Sequence, residues 1–145
     1  MPHLLDTNTC IKYLNGTSEN IKRHFVSKHP SDIVVCSVVK AELLYGALKS
    51  AKPTENLARV HYFVDQFVSL PFDDPASEKY SEIRADLEKA GTPIGPNDLF
   101  IASIALANNL VLVTHNTREF KRVEGLTIDD WEENSHEHNR PANNL

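Results

Sequence analysis

Long hydrophobic runs are missing from this chain. No stretch of about 18 consecutive apolar residues occurs, so a membrane-spanning helix is excluded. Cysteine is nearly missing too: Cys10 and Cys36 stand alone in apolar surroundings, which rules out a disulfide framework and fits buried, reduced thiols of a cytoplasmic protein. A single Cys10–Cys36 bridge is the alternative that the count leaves open. No basic-then-apolar leader stands before the first apolar segment, so export is not expected. Basic charge is also in short supply. Fifteen Lys and Arg face 20 Asp and Glu, for a net charge of −5, whereas nucleic-acid binding usually leaves a basic footprint.

What is present is ordinary for a soluble domain: 41% apolar and 24% charged residues in a chain of 145. A chain of that size buries about 68–70% of the surface it exposes when unfolded, enough for a real core. The charge is unevenly spread. Residues 1–72 carry a balance of +2 and residues 73–145 a balance of −7. Lys22, Arg23, Lys28, Lys49, Lys52 and Arg59 are therefore candidates for a basic rim on an otherwise acidic protein, with a solvated helix face as the plainer reading. Net charge alone does not decide the substrate.

Residues 2–5 form a short apolar segment followed by the polar turn Asp6-Thr7-Asn8-Thr9. Helices are expected over 10–14, closed by Asn15-Gly16, and over 18–28, before His29-Pro30. The β-branched run 33–37 predicts a buried strand, and Ser37 the N-cap of a helix reaching Leu48. A further helix from Glu55, a strand at 68–72, a charged helix over 75–90 and an apolar helix over 99–109 follow. Strands are expected at 110–114 and, at an edge, at 126–131. Such alternation predicts an α/β fold: a doubly wound, mostly parallel sheet of about four to five strands with helices on both faces. Residues 1–131 are expected to form one domain, and the polar, Asn-rich stretch 132–145 a disordered tail.

Three acids sit where such a fold would gather them. In open α/β sheets ligands bind beyond the carboxyl ends of the strands. Asp6 directly follows the first strand, Glu42 lies about one and a half turns into the helix leaving the second, and Asp98 opens a helix after the loop GTPIGPND. Thr114 ends another strand, with His115, Asn116 and Glu119 close behind it. Clustered carboxylates repel and raise one another's pKa unless a cation neutralises them, and all-oxygen donors suit a hard ion such as Mg²⁺ or Mn²⁺. Phosphodiester chemistry is the natural use. Each acid also has a bland alternative: an Asx-turn for Asp6, an ordinary helix-start carboxylate for Asp98. Glu42 is harder to dismiss, because it interrupts the apolar helical text VVKAELL.

LLDTNTCIKYL, SVVKAELLYGA and AGTPIGPNDLFIASIALANNLVLVTHNTREFKRVEGLTIDDW, taken in order, resemble the PIN-domain nucleases, and among them the VapC-type toxins of type II toxin–antitoxin pairs. The resemblance covers residues 1–131. It implies Asp6, Glu42 and Asp98 as metal-binding acids, an Mg²⁺-dependent endoribonuclease (Mn²⁺ substituting), a VapB-type antitoxin covering the site, and a homodimer. GTPIGPND is similar to members that cut initiator tRNA, so tRNA is the expected substrate. Many PIN nucleases carry a fourth acid just past the strand ending at Thr114. Here Asn116 holds that place, catalytic only as an amide, with Glu119 slightly farther on. Thr7 and Thr114 are candidates for orienting water or phosphate, and His115 for a supporting role.

Two other classes stay open. A haloacid-dehalogenase-like phosphatase also begins with Asp after its first strand, but it usually has a second Asp two residues on, where this chain has Asn8. A PIN-like module that binds without cleaving is the other, resting on the missing fourth acid. His136 and His138 lack the companions of a zinc site. Ile11, Tyr13, Leu14, Tyr45 and Leu48 are candidates for partner surfaces.

Overall fold

The apolar segments divide into five short strands: β1 (His3–Leu5), β2 (Ile33–Cys36), β3 (Val68–Leu70), β4 (Val111–Val113) and β5 (Thr127–Asp129). The structure, a computed structural model, describes residues 1–133. All of β2 is buried, as are Leu4, Leu5, Leu112 and Val113. Strands covered on both faces need hydrocarbon at every position, which is why the inner strands read as unbroken apolar runs. Every pairing is parallel, in the order β3-β2-β1-β4-β5. The expected mostly parallel sheet is therefore wholly parallel.

Among the described residues, seven helices connect and flank these strands: α1 (Thr7–Asn15), α2 (Glu19–Ser27), α3 (Ser37–Leu48), α4 (Pro53–Val64), α5 (Asp74–Lys89), α6 (Pro96–Ala107) and α7 (Thr117–Phe120). A 3₁₀ turn at Pro30–Asp32 leads into β2. Helix α6 is apolar on nearly every side, with Leu99 and Ile101 to Ala105 buried, so it forms a central wall of the core. Each large aliphatic side chain buried there stabilises the fold by about 1.5–3 kcal/mol. Rings from separate elements close the other wall: Tyr13 stacks on Phe25 with centroids 3.8 Å apart, and Phe25 meets Trp131 edge-on at 5.7 Å.

The strand order is what positions a site. The chain builds outward from β1 through β2 to β3, then returns to lay β4 and β5 on the other side of β1. Such a reversal opens a crevice at the carboxyl ends of the two strands flanking it. Here those are β1 and β4. The Asp6 amide donates to the Val113 carbonyl at 3.0 Å, and the Thr114 amide donates to Asp129 at 2.9 Å, so the strand ends are stitched together at the crevice.

Several local expectations shift. Thr7, Asn8 and Thr9 form the first turn of α1 instead of a free turn, because the Asp6 carboxylate caps the helix by accepting from the Thr9 amide at 2.9 Å. Cys36, not Ser37, is the N-cap residue of α3, and the Ser37 hydroxyl turns to the Leu70 carbonyl at 3.4 Å. Helix α7 is four residues long, too short to show any periodicity in the sequence. Cys10 and Cys36 are both free and buried, so the optional bridge is not made. Burial pushes the Cys36 thiol up to about 11 and the Cys10 thiol well up, which leaves both unreactive. Tyr13 and Leu14 pack against the core, whereas Ile11, Tyr45 and Leu48 are exposed. Glu132, where the tail was expected to begin, is ion-paired with Lys12, and Asn20 donates to its carbonyl at 2.8 Å. The rest of that tail, residues 134–145, lies outside the described residues.

Candidate active site

Asp6 leaves β1 at the crevice and is almost wholly buried. Burial pushes its carboxyl above the usual carboxylate range, against hydrogen bonds from Thr114 and Thr9 that hold it down. Thr114, just past β4, turns its hydroxyl to Asp6. It also accepts from the Asn116 amide at 3.0 Å.

Glu42 is half-buried on α3, and the Thr7 hydroxyl donates to its Oε1 at 2.7 Å. That bond ties the first turn of α1 to the second turn of α3 across 35 residues of sequence. Asp98 lies in the first turn of α6, half-buried, and its carboxyl is pushed up to about 6. Burial is the largest cause, followed by the charges of Glu119, Asp6 and Glu42 and a hydrogen bond shared with Glu119. The carboxylates of α1's cap, α3 and α7 therefore all bear on Asp98 at one crevice. Among the described residues, no Lys or Arg ion pair reaches any of the four.

The two candidates for the fourth position stand differently. Glu119 is the one that meets Asp98; Asn116 is exposed and donates from Nδ2 to Glu119 Oε2 at 3.1 Å. The four-residue helix α7 makes this possible by turning Glu119 back over Asn116. A helix of four residues leaves no periodic signal for this pairing in the sequence.

His115 is not brought to this group. Its Nδ1 lies 2.9 Å from Asp130 Oδ2 and 3.8 Å from Glu132 Oε2, and hydrogen bonding to Asp130 raises its pKa. Asp130, Glu132 and Lys12 form a second polar cluster that sequence reasoning missed, since its members are joined only by the fold. The proposed basic rim is likewise broken up. Lys49 and Arg59 line hollows beside Glu42, but Lys28 lies 5.5 Å over the Trp131 ring and bears on His3 at the opposite end of β1. Lys52 pairs instead with Glu55 at 3.8 Å.

An all-parallel sheet with carboxylates gathered at its switch point defines a class, and the comparisons agree on it: the family model described as PIN domain matches residues 3–126. A tRNA(fMet)-specific endonuclease VapC from Salmonella typhimurium is 42% identical over 128 residues, covering 88% of this chain and 96% of the relative. A ribonuclease VapC2 from Rickettsia felis is 37% identical over 134 residues, covering 91% and 99%. The chain belongs to the PIN-domain family and, within it, to the VapC ribonucleases of toxin–antitoxin pairs. The solved structure of DNA-bound VapBC from Salmonella typhimurium superposes with a TM-score of 0.85 at 41% identity, covering 90% of this chain and 98% of that one. VapBC-1 from nontypeable Haemophilus influenzae gives a TM-score of 0.83 at 32% identity, covering 92% and 100%. Membership in this family sets aside the phosphatase alternative.

Proposed function

We propose that this protein is an endoribonuclease toxin that hydrolyses a phosphodiester bond of tRNA, initiator tRNA in particular, and that a VapB-type antitoxin restrains it in a complex built on a toxin homodimer. It acts in the cytoplasm. The observation that carries the reading is the convergence of Asp6, Glu42 and Glu119 on Asp98, with none of the four ion-paired to a described Lys or Arg. The tRNA specificity rests on the Salmonella typhimurium relative, named for tRNA(fMet).

The donor set fits a divalent cation. Oxygen ligands alone, and an Asp98 carboxyl pushed up to about 6 by burial first and then by its neighbours' charges, describe a site that gains by taking up a hard ion such as Mg²⁺ or Mn²⁺. Asp6, Asp98 and Glu42 would hold it, with Glu119 beside them. Bound there, the ion supplies charge neutralisation and Lewis acidity for phosphoryl chemistry. The chain's own groups do the rest. Thr7 fixes Glu42 through Oε1, leaving this carboxylate oriented to take a proton from the attacking water. Thr114 holds Asp6 in place, and Asn116 holds Glu119. Hydrolysis by water leaves a 5′-phosphate and a 3′-hydroxyl. Glu119 among the acids also weakens the non-catalytic alternative, which rested on an empty fourth position.

The test is cleavage of total cellular RNA by purified protein with Mg²⁺ or Mn²⁺, with EDTA, and with Asp6→Asn, followed by end-mapping. Discrete cuts in initiator tRNA bearing 5′-phosphates, lost with EDTA and with Asp6→Asn, are expected. Cyclic-phosphate ends, or full activity in Asp6→Asn, would remove the mechanism. A metal-loaded, antitoxin-free protein that binds RNA and cuts none would favour the binding module.

A further inference from the structure

Beyond the acids, α3 continues as a stripe of three residues on one helix face: Glu42, then Tyr45 three residues on, then Lys49 four more. Tyr45 is 63% exposed, and Lys49 Nζ lies 5.1 Å from its centroid. The stripe forms one side of a hollow of about 750 Å³ whose lining also includes Thr7, Asn8 and Asn97. Glu42 is the one acid in that lining and Lys49 the one base, so the hollow runs from the catalytic edge towards positive charge. Its volume lies within the roughly 300–1,000 Å³ of ordinary ligand pockets.

Gly46 is the second observation. It sits in the last turn of α3, where glycine still weakens a helix relative to alanine, yet a Cβ there would meet nothing within 4 Å and its φ is not positive. Neither backbone conformation nor packing within the chain accounts for the glycine. It borders the same hollow, and keeping it bare leaves room for something to approach the helix closely.

We propose that this hollow is a nucleotide subsite, in which a base flanking the scissile bond stacks on Tyr45 and its phosphate is met by Lys49. The assignment rests on the ribonuclease reading above. A ring with an open face stacks on any base, so it supplies affinity without strong sequence preference. The amides of Asn8 and Asn97 at the hollow's edge can donate to and accept from a base edge, which adds selectivity. Lys49 answers the electrostatic problem of this protein, because an acidic site must draw in a polyanion. Asn8 and Asn97 directly adjoin Thr7 and Asp98, which places the subsite one step from the carboxylates.

The experiment is steady-state cleavage of an initiator tRNA transcript in Mg²⁺ by wild type, Tyr45→Ala, Tyr45→Phe and Lys49→Ala, with melting curves for each. An antitoxin-binding titration accompanies it. Tyr45→Ala is expected to raise KM about tenfold or more with kcat less affected, and Tyr45→Phe, which keeps the ring, to rescue it. Lys49→Ala is expected to raise KM and flatten its salt dependence by about one phosphate contact. Photo-crosslinking of a 4-thiouridine transcript to Asp6→Asn protein should place the adduct on α3. If folded Tyr45→Ala cleaves with unchanged KM, the subsite is wrong while the ribonuclease stands. If that variant loses antitoxin affinity alone, the hollow belongs to the antitoxin and the proposal falls. If wild type cuts no RNA, the functional reading fails and takes the subsite with it.

Discussion

At Asp98 the carboxyl proposed for the chemistry also bears a cost to the fold. Its pKa is raised, from 3.8 to about 6, so ionising it works against the fold. Below 3.8 the group is protonated in both states and there is no penalty; the penalty grows between the two values and is complete above 6. Asp98→Asn is therefore expected to raise the Tm at pH 7.5 and to leave it unchanged near pH 3.5. The full shift is discounted because the group is half-exposed, which leaves about 1 kcal/mol, or about 3–5 °C. The same variant should lose cleavage by at least about a hundredfold, as expected for a group that holds charge in the transition state. A melting series against pH and a cleavage assay check both halves. Asn116→Ala removes the donor that holds Glu119 and should cost about 10–100-fold in activity, less than Glu119→Gln. The reverse order would make Asn116 the working residue. Asp6, Glu42 and Asp98 were legible because each follows a readable boundary: a strand end, a position in an apolar helix, a Pro-bounded helix start. The pairing of Asn116 with Glu119 was not, since it needs a helix of four residues that carries no periodic signal. His115 looked eligible by its neighbours and was drawn away by Asp130, a partner 15 residues distant that only the edge strand delivers.

Among the elements, α1 and α6 hold the site most directly. Helix α1 ends at Gly16, whose φ of 65° lies in the left-handed region and whose amide returns to the Lys12 and Tyr13 carbonyls. Gly16→Ala is expected to cost about 1 kcal/mol, a fall in Tm of a few degrees on thermal unfolding. Inside α6, Ile104→Ala is expected to cost about 2–5 kcal/mol, because the helix is enclosed and the cavity cannot collapse. Chemical denaturation would show it as a lower midpoint with an unchanged slope. Most elements were readable because hydrophobic period and punctuation agreed, as in β2, whose four apolar residues sit between Asp32 and Ser37. The errors came at caps, where one side chain decides. Asp6 was read as the first residue of a polar turn, while its carboxylate in fact draws Thr7 to Thr9 into α1.

For the whole molecule, a cation held by the proposed acids would make stability a report of its occupancy. Anything that binds the folded state alone stabilises it by mass action. Mn²⁺ or Mg²⁺ is expected to raise the Tm at pH 7.5 and much less at pH 5, where Asp98 holds its proton. An equal rise at both values would place the ion elsewhere. The central position of β1 has a consequence in time as well as in space. The strand β1 must wait for β4, about a hundred residues later, before Asp6 has Thr114 and Val113 beside it, and Asp98 waits in turn for Glu119. At about 5–20 residues per second that delay is on the order of ten seconds. A ribosome making this protein thus carries an unarmed chain for most of its synthesis, and the enzyme exists only once its last quarter has emerged. Chains stalled before Val113 should leave the RNA around them intact.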